Sequence, residues 1–340
     1  MRRKIILTGI AMFICVIVSM CIQAYSAVLY KEPIAKIEQV TIQEEKQVIQ
    51  AEVLNGREKG KSIKLFSNYQ ENEVENTKLV EGNQVFFQNE EVTEKKRDGF
   101  VFFIVTLLLL TLIAIGGKTG LTTFISAGLN SAALVLMVWF YREHSDISLL
   151  PLTMLYMIFA VGLTLFLIDG FKKNSLQKFF ATIVTILAAY FICYFTMSLL
   201  HDKGLRFEDL GVLTRPYRPI FLASLLIGAI GASLDTVVTV ISTLEEIEQQ
   251  NRQVTLKQLI QSGQIIGKDV SGTMINVLIC SYFSSAIPMI LVYLFNGWNF
   301  MQAMNMLLSL EAVRVICGGF GILLSIPISL GFFYFGRRKA

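Results

Sequence analysis

Apolar and polar positions divide the chain into three zones. Residues 1–30 have a basic start (Arg2, Arg3, Lys4) followed by an apolar run. Residues 31–98 are polar, with short alternating stretches such as Val48-Ile49-Gln50-Ala51-Glu52-Val53-Leu54. Period-two alternation of this kind, punctuated by Asn55-Gly56 and Glu81-Gly82-Asn83, predicts strands. Further strands are expected at 63–66 and 85–87, giving a small β-rich domain; a loosely ordered spacer is the competing reading, given its many Glu, Gln, Asn and Lys. From residue 99 onward, long apolar runs follow one another at 99–115, 121–141, 147–168, 176–200, 220–243, 270–295 and 312–335. Each is long enough to cross a bilayer as a helix.

With the N-terminal run, the pattern predicts an all-α polytopic membrane protein of about eight transmembrane helices and a small extracytoplasmic β-rich domain. Its divisions are a signal anchor at 1–30, the β-rich domain at 31–98 and a multi-pass helical domain at 99–340. Segment 244–269, with Leu256, Leu259, Ile260 and Ile265 among Gln, Lys and Ser, reads as a cytoplasmic amphipathic helix. Ala24-Tyr25-Ser26 is a passable cleavage site, so a cleaved signal peptide also fits and would leave seven spans.

Charge then orients the chain. The segments placed inside hold Arg2, Arg3, Lys4, Lys118, Lys172, Lys173, Lys178, Arg252, Lys257, Lys268, Arg337, Arg338 and Lys339; those placed outside hold Arg142, Lys203, Arg206, Arg215 and Arg218. The positive-inside bias puts both termini in the cytoplasm and the β-rich domain outside. The formal net charge is only +4, and the basic residues flank apolar runs, which is topology rather than a nucleic-acid surface. The expected partner is the lipid bilayer, with no nucleic acid; homo-oligomerisation is compatible with the pattern.

The run at 220–246 carries a carboxylate. At about 100° per residue, Ser224, Gly228, Gly231, Asp235, Thr239 and Ser242 share one stripe, and the rest of the circumference is Leu, Ile, Val and Ala. A charged side chain within hydrocarbon is costly unless it faces protein or water, so this stripe is expected to point inward. In the next run Asp269, Gly272, Asn276 and Cys280 follow one face, flanked by Thr273. The two runs are antiparallel neighbours, and their polar residues fall at similar depth in the cytoplasmic half. Asp235, Asn276, Thr239, Gly228, Gly231, Gly272 and Thr273 are therefore the candidate ion or substrate pathway, the glycines being expected to bring the backbones close. Lys118 and Lys268 lie on the side where they could neutralise Asp235, Asp269 lies near that surface, and Glu311 and Arg314 form a local pair at the opposite end of the last span.

Other chemistry is hard to assemble. Gly116-Gly117-Lys118-Thr119-Gly120 lacks the glycine a phosphate loop needs six residues before its lysine, where Leu112 stands. Asp169 reads as an interfacial turn residue. His144 and His201 offer no paired metal ligands, and the five cysteines all lie in apolar runs, so neither a metal, a cofactor nor a disulfide framework is expected. With one deep carboxylate, an intramembrane aspartyl protease lacks its second, and no enzymatic role is expected. Arg215 and Arg218 are read as headgroup anchors or as the rim of an anion-attracting vestibule.

The blocks GAIGASLDTVVTVISTLEEI (228–247) and SGQIIGKDVSGTMINVLI (262–279) resemble the signature blocks of the YibE/F-like family of multi-pass bacterial membrane proteins. The order of anchor, small outer domain and successive spans is also similar. Leu234 stands where the family usually has Met. The resemblance implies residence in a bacterial cytoplasmic membrane and carries no established activity. The function expected is a small-solute or ion transporter or permease using an intramembrane Asp. The alternative is a non-transporting scaffold or sensor that binds an envelope partner through its outer domain.

Overall fold

The computed structural model describes residues 2–43, 46–68, 78–144, 146–210, 216–251 and 253–338. Arg215, Arg252 and Lys339, which entered the charge argument, lie outside them. The chain forms two compact units, residues 1–124 and 125–340.

In the first unit, α1 (Arg2–Tyr25) leads through a short 3-10 turn into five strands: β1 (Ile34–Gln43), β2 (Lys46–Val53), β3 (Ser62–Asn68), β4 (Gln84–Gln88) and β5 (Glu91–Lys95). They close into a barrel in the order β1-β2-β3-β5-β4. The pairings are antiparallel except β3 with β5. The alternation in β2 has the physical consequence expected of it: Gln47, Ile49, Ala51 and Val53 are buried, while the residues between them are not. Ala35, Ile37, Leu65, Leu79 and Val85 complete the barrel interior. The β-rich expectation holds, and the spacer reading falls.

Asn55, read from sequence as half of a turn, also fastens the barrel to the preceding chain. Its amide donates to the carbonyls of Ala27, Tyr30 and Glu32 at 2.9–3.0 Å, and its Oδ1 accepts from the Ile34 N–H at 2.7 Å. Buried Lys96 does the same at the exit, donating to Gln84 Oε1 (2.8 Å) and to the Gln23 carbonyl (3.0 Å) and facing Asp98 (3.3 Å). Helix α2 (Asp98–Gly116) then packs on α1 through Gly99, where a Cβ would lie 2.8–2.9 Å from Gln23 and Ser19 atoms. At its far end a Cβ on Gly120 would meet the Leu112 carbonyl, so the glycines of the Gly116–Gly120 stretch serve a tight turn between helices.

Helix α3 (Lys118–Glu143) is followed by α4 (Leu149–Ile168), α5 (Lys173–Leu199), α6 (Tyr217–Gln250), α7 (Leu256–Phe295) and α8 (Phe300–Arg338). Among the described residues, seven helices, α2 to α8, are long and apolar enough to cross a membrane, and Met12–Tyr25 of α1 is a shorter apolar helix. Helix α6 is the centre of the second unit. Its apolar residues Phe221, Leu222, Leu225, Leu226 and Ala229 pack with α4, α5 and α8, and Val237, Val240, Ile241 and Leu244 form a second core with Ala181, Leu259, Leu330 and Phe333.

The expected separate helix at 244–269 is not formed. Helix α6 runs on to Gln250, and α7 already starts at Leu256. A capping box fixes that start: Thr255 and Gln258 satisfy each other's backbone N–H groups. Helix α8 likewise begins twelve residues ahead of the expected 312. Its added turns pack on the end of α7 through Ala286, Ile290 and Leu307. At 1.5 Å per residue, the 40 residues of α7 span about 60 Å, twice a bilayer's hydrocarbon thickness.

Candidate functional site

The polar stripe of α6 is open at its middle. Gly231 and Asp235 are exposed, and Ser224, Gly228, Thr239 and Ser242 are half-buried, whereas the aliphatic side is the buried one. The inward orientation expected from sequence holds at Ser224 and Gly228, which meet α8 and α7, and not at Gly231 and Asp235. Hydropathy cannot choose between a lipid-facing and a protein-facing aliphatic surface, because both neighbours are apolar. Packing chose the protein, and it left the carboxylate on the open face.

Asp235 lies far from other charges on its helix. Glu245 is ten residues on and Arg218 seventeen before, or about 15 and 25 Å at 1.5 Å per residue. Among the described residues its carboxylate has no hydrogen-bond or ion-pair partner; only its backbone carbonyl is engaged, by Thr239 Oγ1 at 2.7 Å. Lys268 and Asp269 are exposed on α7, and neither is paired with it.

Two close approaches set the register of α6 against α7. A Cβ on Gly228 would meet the Tyr282 hydroxyl, and one on Gly263 would lie 3.3 Å from Leu244. Antiparallel interpolation between these contacts sets Asp235 opposite Thr273 and Met274, with Gly272 and Asn276 within one turn. Thr273, Gly272 and Asn276 are exposed as well. These residues are thus level with one another along the helix pair.

The glycines behave differently from the expectation. Gly228 is a close contact, but Gly231 and Gly272 have open space where a Cβ would stand. The tight approaches lie on α8 instead: Gly267 of α7 against Ile326, Gly318 against Leu278 of α7, and Gly321 against Ser233 of α6. Helix α8 packs against both α6 and α7, through glycines other than those expected to join those two.

Above the stripe is a second polar group. Arg314 pairs with Glu311, reaches Ser224 Oγ at 3.5 Å and lies over the Phe221 ring at 5.3 Å. The expected local pair therefore exists, and it also bridges α8 to the first stripe residue of α6. The Glu311 Oε2 atom is buried without a partner. Lys118 belongs to the first unit and is exposed.

Sequence reasoning missed a buried cluster at the other end of α6. Lys178, 4 % exposed, contacts Asp169 at 2.7 Å and Glu245 at 3.6 Å. From sequence, Lys178 reads as a topology charge and Asp169 as a turn residue. The signal was available only as three charges on three separate helix ends, with nothing in sequence to join them. Arg218 is likewise engaged rather than free to attract anions: it pairs with Asp202 at 3.0 Å and donates to Ser198 Oγ at 2.8 Å. His144 and His201 are exposed, and no metal-ligand cluster occurs among the described residues.

Residues 104–339 match the YibE/F-like protein family, and residues 28–100 match the YibE/F family N-terminal domain. The chain belongs to the YibE/F-like family. The boundary between the two matches falls at the start of α2, where the barrel gives way to the helical region. All the candidate pathway residues lie in the part matched by the longer family domain, and the Asn55 and Lys96 fastenings lie in the N-terminal one. No curated protein and no solved structure matches the chain.

Proposed function

We propose that this YibE/F-like protein is a bacterial cytoplasmic-membrane transporter for a small solute or ion, with Asp235 as its intramembrane carboxylate. The observation that carries the reading is the exposed, unpaired Asp235 near the middle of a 34-residue apolar helix, level with Thr273 and Asn276. Facing acyl chains it would cost several kcal/mol. The α6–α7 face is therefore wetted, and a wetted cleft between long apolar helices is what a polar solute needs. Thr239, Thr273 and Asn276 supply neutral hydrogen-bonding groups along it, and the small Gly231 and Gly272 keep it open. The positive-inside bias supports an orientation with both termini in the cytoplasm and the barrel outside.

The test is flux in proteoliposomes holding a pH-sensitive dye, with an imposed potassium diffusion potential. Proton-linked flux above protein-free liposomes is expected, and Asp235→Asn is expected to abolish it. Equal flux in the variant would remove Asp235 from the mechanism, and none in the wild type would remove proton-linked transport. The closed barrel supports the second reading, a scaffold or sensor whose outer domain binds an envelope partner. Cross-linking that recovers a stoichiometric partner, together with absent flux, would favour it.

A further inference from the structure

Cys193 of α5 and Cys317 of α8 are both buried in the same core, where the two helices pack together. The backbone spacing there suits a covalent link. One turn away on each helix, an ideal Cβ on Gly321 stands 4.0 Å from the Ala189 Cβ. The helices run antiparallel, so Cys193 and Cys317 are the next facing pair. Disulfides hold their Cβ atoms about 3.5–4.5 Å apart. Cys193 also lines a cavity of about 210 Å³ whose walls include Met197, Val313, Ile316 and Phe320, with Lys203 among its polar lining. The cavity is mostly apolar and suits a flat, lipophilic ring.

We propose that Cys193 and Cys317 form a redox-active dithiol site, oxidised by a lipophilic benzoquinone-class molecule that enters the adjoining cavity. Both S–H bonds break and one S–S bond forms. The two electrons and two protons released pass to the quinone, which leaves as hydroquinone. Cys193 meets the oxidant because it lines the cavity, and Cys317 behind it closes the bond. Oxidation ties α5 to α8, the helix that packs against both α6 and α7. The inference stands independently of the transport reading.

The experiment uses the full chain in phospholipid nanodiscs, with Cys15→Ser, Cys21→Ser and Cys280→Ser so that the pair supplies all the thiols. The probe is a short-chain ubiquinone analogue, followed by denaturation, alkylation and mass spectrometry. Loss of both thiols from alkylation is expected, with a linked peptide containing Cys193 and Cys317 and one hydroquinone formed per chain. Phe320→Trp, which fills the cavity, is expected to slow this reaction while leaving oxidation by the water-soluble reagent diamide unchanged. Full alkylation of both thiols after either oxidant would overturn the site. Closure by diamide but not by the quinone would overturn the assignment of the oxidant.

Discussion

Replacing Lys178 by Met removes the cation that faces Asp169 and Glu245. The Lys178 side chain is 5 % exposed and those of its partners 27 % and 16 %, so water replaces little of what is lost. Glu245 Oε1 is already buried without a hydrogen-bond partner. Breaking a buried pair from one side costs about 3–5 kcal/mol, because a charge is left uncompensated. Neutralising the stranded groups as well should restore most of that, since polar or apolar isosteres of a buried ion pair are often near neutral. The assay is SDS-induced unfolding of the purified protein, followed by maleimide labelling of the buried Cys193 and Cys317. Lys178→Met is expected to lower stability by about 3 kcal/mol, and the triple change Lys178→Met, Asp169→Asn, Glu245→Gln to return within about 1 kcal/mol of wild type. A single variant within about 1 kcal/mol of wild type, or a triple variant no better than the single one, would refute the reasoning.

Gly267→Leu drives a side chain into Ile326, which already stands 2.8 Å from an ideal Cβ, and should cost about 1–3 kcal/mol by overpacking; Gly272→Leu, in open space, should be near neutral in the same assay. Asn55→Ala leaves buried backbone groups around the α1–β1 junction unpaired, at about 1–3 kcal/mol, and should speed proteolysis after residue 30. Arg314→Met strands the half-buried Glu311 and should destabilise by about 3 kcal/mol, with rescue by added Glu311→Gln, read as a unfolding midpoint.

Several elements were legible because their cause is local. The alternation of Ile49, Ala51 and Val53 is a property of one strand, and it alone specifies which side becomes the barrel interior. The long apolar runs specify helices for the same reason. The start of α7 was legible too, in Thr255-Leu256-Lys257-Gln258, but the polar character of the segment masked it. Register was within reach as well: two antiparallel neighbours of known length place Asp235 near Thr273 and Asn276 at 1.5 Å per residue.

What the chain by itself determined was thus the kind and order of most elements, the barrel's inner face and the level of Asp235 along its helix. Only the tertiary structure decided which side of α6 is covered, that α8 packs against both α6 and α7, and that Lys178, Asp169 and Glu245 meet. The reason is that an aliphatic helix surface satisfies lipid and protein equally well. Periodicity names the faces of such a helix, but only the shapes of its neighbours assign them.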